Sequence, residues 1–436
     1  MAKEQNNSMH DLSLNIEHIT RVEGHGNLVI NIKEGKIEEL RLDIVESPRF
    51  FEAMILGRTF NEAAWITSRI CGICAVSHTS CSLKALETAL GVTPSEQTIL
   101  LRKTIYNAEI IQSHVLHLYF LAIPDFFGVG SVFGLLPDKK EIVARGMRLK
   151  GLANDICAVI GGRHVHPCSM IVGGFTKLPD KKELKRCKDR LEALRPDVVE
   201  TIELFKGLKI PSFERQTEYL SLSHSNEYAF YDGSITSSDG GTVEPSRYLE
   251  KVKEFIVSHS TAKHAKSKRD SYMVGALARF NNNHRQLHPR AKDAAQYLGL
   301  KAPCYNPFMN NLAQVVETVH CFEDSVELID KILSNGLEQE KVEIKPKAGS
   351  GVGAVEAPRG TLYHEHTLDD NGCVTYGNYI IPTAQNLANI EKDLEALVPA
   401  ILNKSKGEIT NTVEMLVRAY DPCISCATHL MKVRFV

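Results

Sequence analysis

The sequence predicts an α+β fold that is mainly helical, with a long central helix bundle and small peripheral β-sheets. Three observations lead there. Thr93-Pro-Ser-Glu96 reads as a capping box with proline in the first helical turn, and the helical pattern it opens runs to about Ala122. Residues from Leu12 to about Ile44 alternate with period two. The remaining patterned stretches are helical for most of their length, broken by two β-rich interruptions near 216–235 and 354–382.

In chain order, Leu28, Ile30 and Ile32 face Leu40, Leu42 and Ile44 across Glu34-Gly-Lys36, which makes a hairpin in a small N-terminal sheet. Arg21-Val-Glu-Gly-His25 interrupts the alternation between the first two strands and carries two titratable groups. The chain then turns helical from Asn61 to Ile70, breaks at Cys71-Gly-Ile-Cys74, and resumes from Ser82 to Leu90. A break before a helix places sulfur where the N-terminal backbone dipoles favour thiolate over thiol. The helix opened at Thr93 is on the order of 45 Å long, the length of a bundle's central member. Further helices are expected at about 139–160, 181–206, 246–259, 307–335, 384–403 and 408–420, and Asp369-Asp-Asn-Gly372 marks a hairpin turn in the second β-rich stretch. No internal repeat or low-complexity segment is present.

Composition bounds the function. The chain has 436 residues, 43% hydrophobic and 24% charged, enough to bury a large core. A formal charge of -2 gives no general attraction to nucleic acid or anionic lipid. The N-terminus lacks the apolar core of a signal peptide and no stretch reaches the roughly 18 apolar residues of a membrane span, so a cytoplasmic protein with no direct membrane insertion is expected. Eleven cysteines at irregular spacing do not suggest a disulfide framework. Cys81, Cys157, Cys168, Cys187, Cys304, Cys321 and Cys373 stand singly and read as buried bystanders.

The other four are paired. Arg69-Ile-Cys-Gly-Ile-Cys-Ala-Val-Ser-His78 has a counterpart at the far end, Asp421-Pro-Cys-Ile-Ser-Cys-Ala-Thr-His429. A structural zinc, a thioredoxin-type dithiol and a redox-active or catalytic metal all use Cys-x-x-Cys. Structural zinc usually organises a local module, whereas these pairs lie about 350 residues apart. Four thiolates carry four negative charges. One divalent zinc leaves such a site at −2, two divalent metals sharing sulfurs balance it, and thiolates suit nickel and iron as well as zinc. A nearby arginine would also have a purpose, and Arg359 in Glu356-Ala-Pro-Arg-Gly360 is a candidate because its charge is permanent.

The two cysteine blocks, Arg21-Val-Glu-Gly-His25 and Glu356-Ala-Pro-Arg-Gly360, in this order, resemble the signature blocks of the large subunit of nickel-iron hydrogenases, most like the soluble cytoplasmic multi-subunit type. The resemblance runs from about residue 17 to 429. It implies reversible heterolytic cleavage of dihydrogen to protons and electrons at a nickel-iron centre. By that resemblance Cys71 and Cys423 bind nickel alone, while Cys74 and Cys426 bridge nickel to an iron carrying carbon monoxide and cyanide. Glu23 relays protons, and Arg359 sits over the open face of nickel between two aspartates, placed at Asp125 and Asp421. His78 supports a bridging sulfur, Thr383 hydrogen-bonds a cyanide, and Glu52 with His429 holds a magnesium-type ion. Gly161-Gly-Arg-His-Val-His-Pro167 resembles a further block that faces a partner. The resemblance also implies removal of residues 430–436 on maturation.

The single cysteines show no iron-sulfur ligand set, so electrons must leave through an iron-sulfur small subunit, then onward to flavin/nicotinamide-, deazaflavin- or ferredoxin-linked partners. Two regions are expected, 1–52 as the N-terminal β-hairpin region and 53–436 as the helical catalytic domain. The alternatives are a dihydrogen sensor with the same site, a zinc-stapled scaffold and a complex I-like quinone-site subunit. The last of these lacks the cysteine pairs.

Overall fold

The computed structural model describes residues 11–340 and 343–428. The N-terminal strands Leu12–Ile16, Gly26–Lys33 and Lys36–Ile44 form an antiparallel sheet in sequence order. The alternation predicted this pairing, with Leu28 opposite Leu42 and Ile30 opposite Leu40. Leu28, Ile30, Leu42 and Ile44 are buried in the main core, together with Leu387 and Leu394 of the Pro382–Ala400 helix.

The long helix begins two residues later than its capping box suggested. Ser95, not Thr93, is the N-cap, its hydroxyl accepting from Thr98 N at 3.1 Å. The regular helix spans Glu96–Val115, widens into a π-helical stretch over Leu116–Ala122 and ends in Ile123–Phe126. It packs between the Leu136–Gly161 and Asn310–Asn335 helices and is the central member of the bundle. The expected helix 181–206 is two, Lys181–Ala193 and Arg195–Lys206, divided where Pro196 opens the second. The stretch read as a helix at 246–259 is instead a 3₁₀ segment, Pro245–Glu250, followed by the strand Lys253–Phe255 paired with His264–Lys266. Two helices absent from the sequence reading, Ala276–Asn283 and Pro289–Leu298, lie before the Asn310–Asn335 helix.

What aligns the site is the contact between the Ala75–Leu90 helix and the strand Gly349–Ala357. This strand leads a three-stranded sheet with Gly360–Leu368 and Val374–Ile380. Glycine recurs at 349, 351 and 353 because the strand lies directly on the helix backbone. A Cβ at those positions would stand 2.3, 2.1 and 2.0 Å from the carbonyl oxygens of Ala89, Ala85 and Cys81. The helix starts at the first cysteine pair and the strand ends beside Arg359, so this contact sets the distance between them. Gly353→Ala is expected to cost about 3 kcal/mol, because backbone rather than a pliable side chain must move. For a chain of this size that is roughly 3 °C in Tm, and an unchanged thermal midpoint would show that strand and helix can separate freely.

Candidate active site

The first cysteine loop follows the Phe60–Thr67 helix, which Thr59 and Glu62 close with a reciprocal capping box. Cys71 is extended and Cys74 caps the Ala75–Leu90 helix. The second loop follows the Lys406–Ala419 helix, with Asp421 in the left-handed region at φ 51°. Arg49 ties the loops together, Nη2 donating to Ile70 O and Ser425 O at 2.5 Å each. The sulfurs of Cys71 and Cys423 are 3.6 Å apart, those of Cys74 and Cys426 4.0 Å, and all four lie within 4.8 Å of one another. All four residues are buried.

These sulfurs cannot all ionise on their own. Sulfhydryl hydrogen bonds from Cys423, Cys426 and Cys74 hold Cys71 well below the usual thiol range. Cys426, Cys71 and Cys74 in turn push Cys423 well above it. Cys71 Sγ also accepts from the backbone N–H groups of Ile73 (3.3 Å) and Cys74 (3.2 Å). A soft cation bound by the cluster would remove this competition, since it favours the thiolate at every position.

Arg359 is buried beside them. It shares a small cavity with Cys74, Cys423, Cys426, His78 and Thr383, walled by Ala357, Ile381 and Pro382. Its Nε donates to Asp421 O (2.7 Å), Nη2 to Asp421 Oδ1 (2.9 Å) and Nη1 to Ser113 Oγ (3.4 Å). Burial opposes the charge, but Asp421 and the sulfurs of Cys423, Cys74 and Cys71 outweigh it and stabilise the cation. Asp421 is therefore one expected flank. Asp125 is not the other: its carboxylate is held by Arg21 (2.5 Å) and Arg418 (2.8 Å), and the Ser113 hydroxyl stands at Arg359 instead. Behind this, Arg279 pairs with Glu317 at 2.7 Å and Glu356 at 2.9 Å, all three fully buried, and donates to Ala357 O and Pro358 O. The backbone leading to Arg359 is thereby fixed.

Glu23 is placed against the second loop. Its carbonyl accepts from Ile424 N (2.9 Å), and its carboxylate accepts from Ser425 N (3.1 Å) and the Ser425 hydroxyl. Gly24 permits this approach: at φ 86°, a Cβ there would lie 2.7 Å from Ile424 Cβ. Thr383 Oγ1 accepts from Cys423 N at 2.9 Å. His78 lines the same cavity, its Nδ1 3.2 Å from His364 Nε2. Glu52 is buried, Oε1 accepting from Tyr379 N (2.9 Å), while Arg49 N donates to Thr428 O (2.9 Å) and brings the end of the described chain close by. His429 and residues 430–436 lie outside the described residues.

One carboxyl escaped the sequence reading. Glu109 accepts from Val76 N (2.5 Å), Ser77 N (2.8 Å) and the Ser77 hydroxyl, and so claims the helix terminus that was expected to serve the thiolates. Burial pushes its pKa up to about 8, against the Ser77 and Val76 hydrogen bonds and with help from Cys71. At neutral pH it is mostly protonated and adds little negative charge to the cluster. A glutamate in mid-helix, 35 residues beyond Cys74, carries no local signal of this contact.

A buried four-sulfur cluster with a fixed cation at its edge is a candidate metalloenzyme centre. Residues 49–149 and 308–429 match the family described as nickel-dependent hydrogenase, and residues 13–47 match the HoxL-like family. The chain belongs to the nickel-dependent hydrogenase large-subunit family, oxidoreductases that act on dihydrogen. It is 37% identical to the alpha subunit of sulfhydrogenase 1 of Pyrococcus furiosus, over 97% of this chain and 99% of that one. It is 30% identical to the homologous subunit of the F420-non-reducing hydrogenase of Methanothermobacter marburgensis, over 96% and 95%. Among solved structures, an NAD+-reducing nickel-iron hydrogenase in the H2-reduced state superposes with a TM-score of 0.86 at 29% identity, covering 96% of this chain and 99% of that one. The helical fold with small separate sheets is thus that of the nickel-iron large subunit, and Cys71, Cys74, Cys423 and Cys426 are its candidate nickel-iron ligands.

Proposed function

We propose that this chain is the catalytic subunit of a hetero-oligomeric hydrogenase that splits dihydrogen reversibly and passes the electrons to an iron-sulfur small subunit. The observation that carries this is the four-sulfur cluster with Arg359 at its edge. Nickel and iron, when bound, supply an electrophilic pair at which dihydrogen is cleaved heterolytically. Cys71, Cys74, Cys423 and Cys426 would together hold the nickel and an iron bearing carbon monoxide and cyanide. The adjoining cavity suits small ligands: Ala357, Ile381 and Pro382 form its apolar wall, and the Thr383 hydroxyl can donate into it while accepting from Cys423 N. Arg359 presents a positive charge to the sulfurs and stabilises negative charge developing there. Glu23, half-buried along the Cys423–Cys426 loop, takes the proton and passes it outward. Glu52 offers a buried carboxylate to a magnesium-type ion beside the C-terminal end, with His429 as the expected second ligand.

Among the described residues the cysteines outside the cluster form no second metal-binding group, which supports electron exit through a partner. The surface next to the first loop suits such a partner. Phe50 and Trp65 are exposed, Arg69 stacks on Trp65 at 3.8 Å, and His166 Nδ1 of the 161–167 block holds Ser68 O at 2.8 Å. The likeness to an NAD+-reducing enzyme favours a nicotinamide-linked acceptor over a deazaflavin- or ferredoxin-linked one. No helix among the described residues is long and apolar enough to cross a membrane. The proposed place of the assembly is the cytoplasm. Purified active complex is expected to carry nickel and iron in this chain and to show infrared stretches of carbon monoxide and cyanide. Full activity in a preparation free of nickel would overturn this reading.

A further inference from the structure

Away from the sulfur cluster, His259, His264 and Glu391 bring one ligand atom each to within 4.8 Å of one another. His264 lies on the strand His264–Lys266, His259 in the loop before it, and Glu391 on the Pro382–Ala400 helix. His259 Nε2 is 2.9 Å from Glu391 Oε1, which a simple hydrogen bond explains. His264 is not explained that way. Its side chain is 2% exposed, and Nδ1, its ring nitrogen nearest Glu391, stands 3.8 Å from Glu391 Oε2, too far for a hydrogen bond but within the span of a shared ion. Nε2, the other ring nitrogen, is buried with no partner among the described residues and is not the atom an ion at Nδ1 would take.

The spacing fits a shared ion. Two ligands at about 2.1 Å in a tetrahedron stand roughly 3.4 Å apart, between the 2.9 and 3.8 Å that separate the two histidines from Glu391. We infer that His259, His264 and Glu391 form a second metal site, which takes a divalent cation of borderline softness, zinc being the type, and staples three segments of the fold. Two imidazoles and a carboxylate are the donors such a cation prefers. Glu391 and His259 are partly exposed and give the ion a way in.

The segments joined are identifiable. Glu391 Oε1 also accepts from Leu42 N of the N-terminal sheet (2.9 Å). Within the histidine loop, Thr261 donates from its amide to Ile44 O (3.0 Å) and from its hydroxyl to Glu46 O (2.6 Å). Glu46 Oε1 in turn accepts from His25 N at 3.0 Å. Zinc would therefore brace the histidine loop, the helix and the end of the sheet, one step from the loop that carries Glu23.

The test uses the intact complex, treated with a mild chelator that leaves nickel in place and then dialysed against zinc chloride. Wild type is expected to retain one zinc per chain, and amide exchange over 256–264 is expected to slow when it binds. His259→Gln and Glu391→Gln are each expected to weaken zinc binding by at least about 100-fold, the upper end of the cost of losing even an outer-shell partner. Nickel content and dihydrogen uptake should stay at the wild-type level. Equal zinc retention by wild type and both variants would overturn the site. If a variant fails to assemble, cobalt added to wild type decides: a visible d–d band at one equivalent supports the site, and its absence overturns it.

Discussion

Arg359→Lys is expected to cut dihydrogen turnover by about 100- to 1000-fold, the usual cost of one preorganised electrostatic group, while nickel and iron stay bound. The guanidinium is fixed by three donors in different directions, two to Asp421 and one to Ser113. A lysine ammonium can reach Asp421, but it collapses the fork to a point charge on a flexible stem. The thiolates do not depend on Arg359 for their ligand geometry, because Arg49 holds the two loops together. Metal content and rate should therefore separate. Turnover within about threefold of wild type would remove Arg359 from the chemistry, since no group that sets the transition-state field is so cheaply replaced. Loss of nickel together with the rate would instead make it a structural cation.

The parts of this site legible in the sequence are those whose chemistry is local. Two Cys-x-x-Cys pairs mark a metal or dithiol site by their spacing, and the alternation of Leu28, Ile30 and Ile32 against Leu40, Leu42 and Ile44 states a register. Glu356-Ala-Pro-Arg-Gly360 marks a strand end, because proline stiffens the approach and the glycine, here at φ 134°, lets the backbone turn, and Arg359 sits at that turn. Failures arise where distant partners decide. The resemblance sets Asp125 beside Arg359, but Arg21 and Arg418, 104 and 293 residues away, claim its carboxylate. Ser113, twelve residues earlier on the same long helix, takes the place beside Arg359. The π-helical turn at Leu116–Ala122 lies between the two and changes the helical phase, so counting at 3.6 residues per turn could not have related them. Residues 246–259 fail for a similar reason: Lys253–Phe255 is a strand because His264–Lys266 pairs with it, and tertiary pairing overrides a helical local pattern.

Glu23→Gln is expected to slow proton-coupled turnover by about 100-fold or more, within the range that a positioned acid-base group contributes. Glutamine matches glutamate in size, and its carbonyl oxygen can still accept from Ser425 N, so the second cysteine loop should keep its shape and its metals. What it cannot do is bind and release a proton. Dihydrogen-deuterium exchange with solvent should fall in step with turnover, while nickel and iron remain at wild-type levels. The structure offers another carboxyl near Cys71, Glu109, which accepts from the Ser77 hydroxyl and whose pKa burial pushes up to about 8. Comparing the two variants separates the routes. If exchange survives Glu23→Gln and collapses in Glu109→Gln, protons leave along the Ala75–Leu90 helix. If Glu23→Gln alone stops exchange, Glu109 serves by staying protonated, keeping a fifth negative charge away from four thiolates.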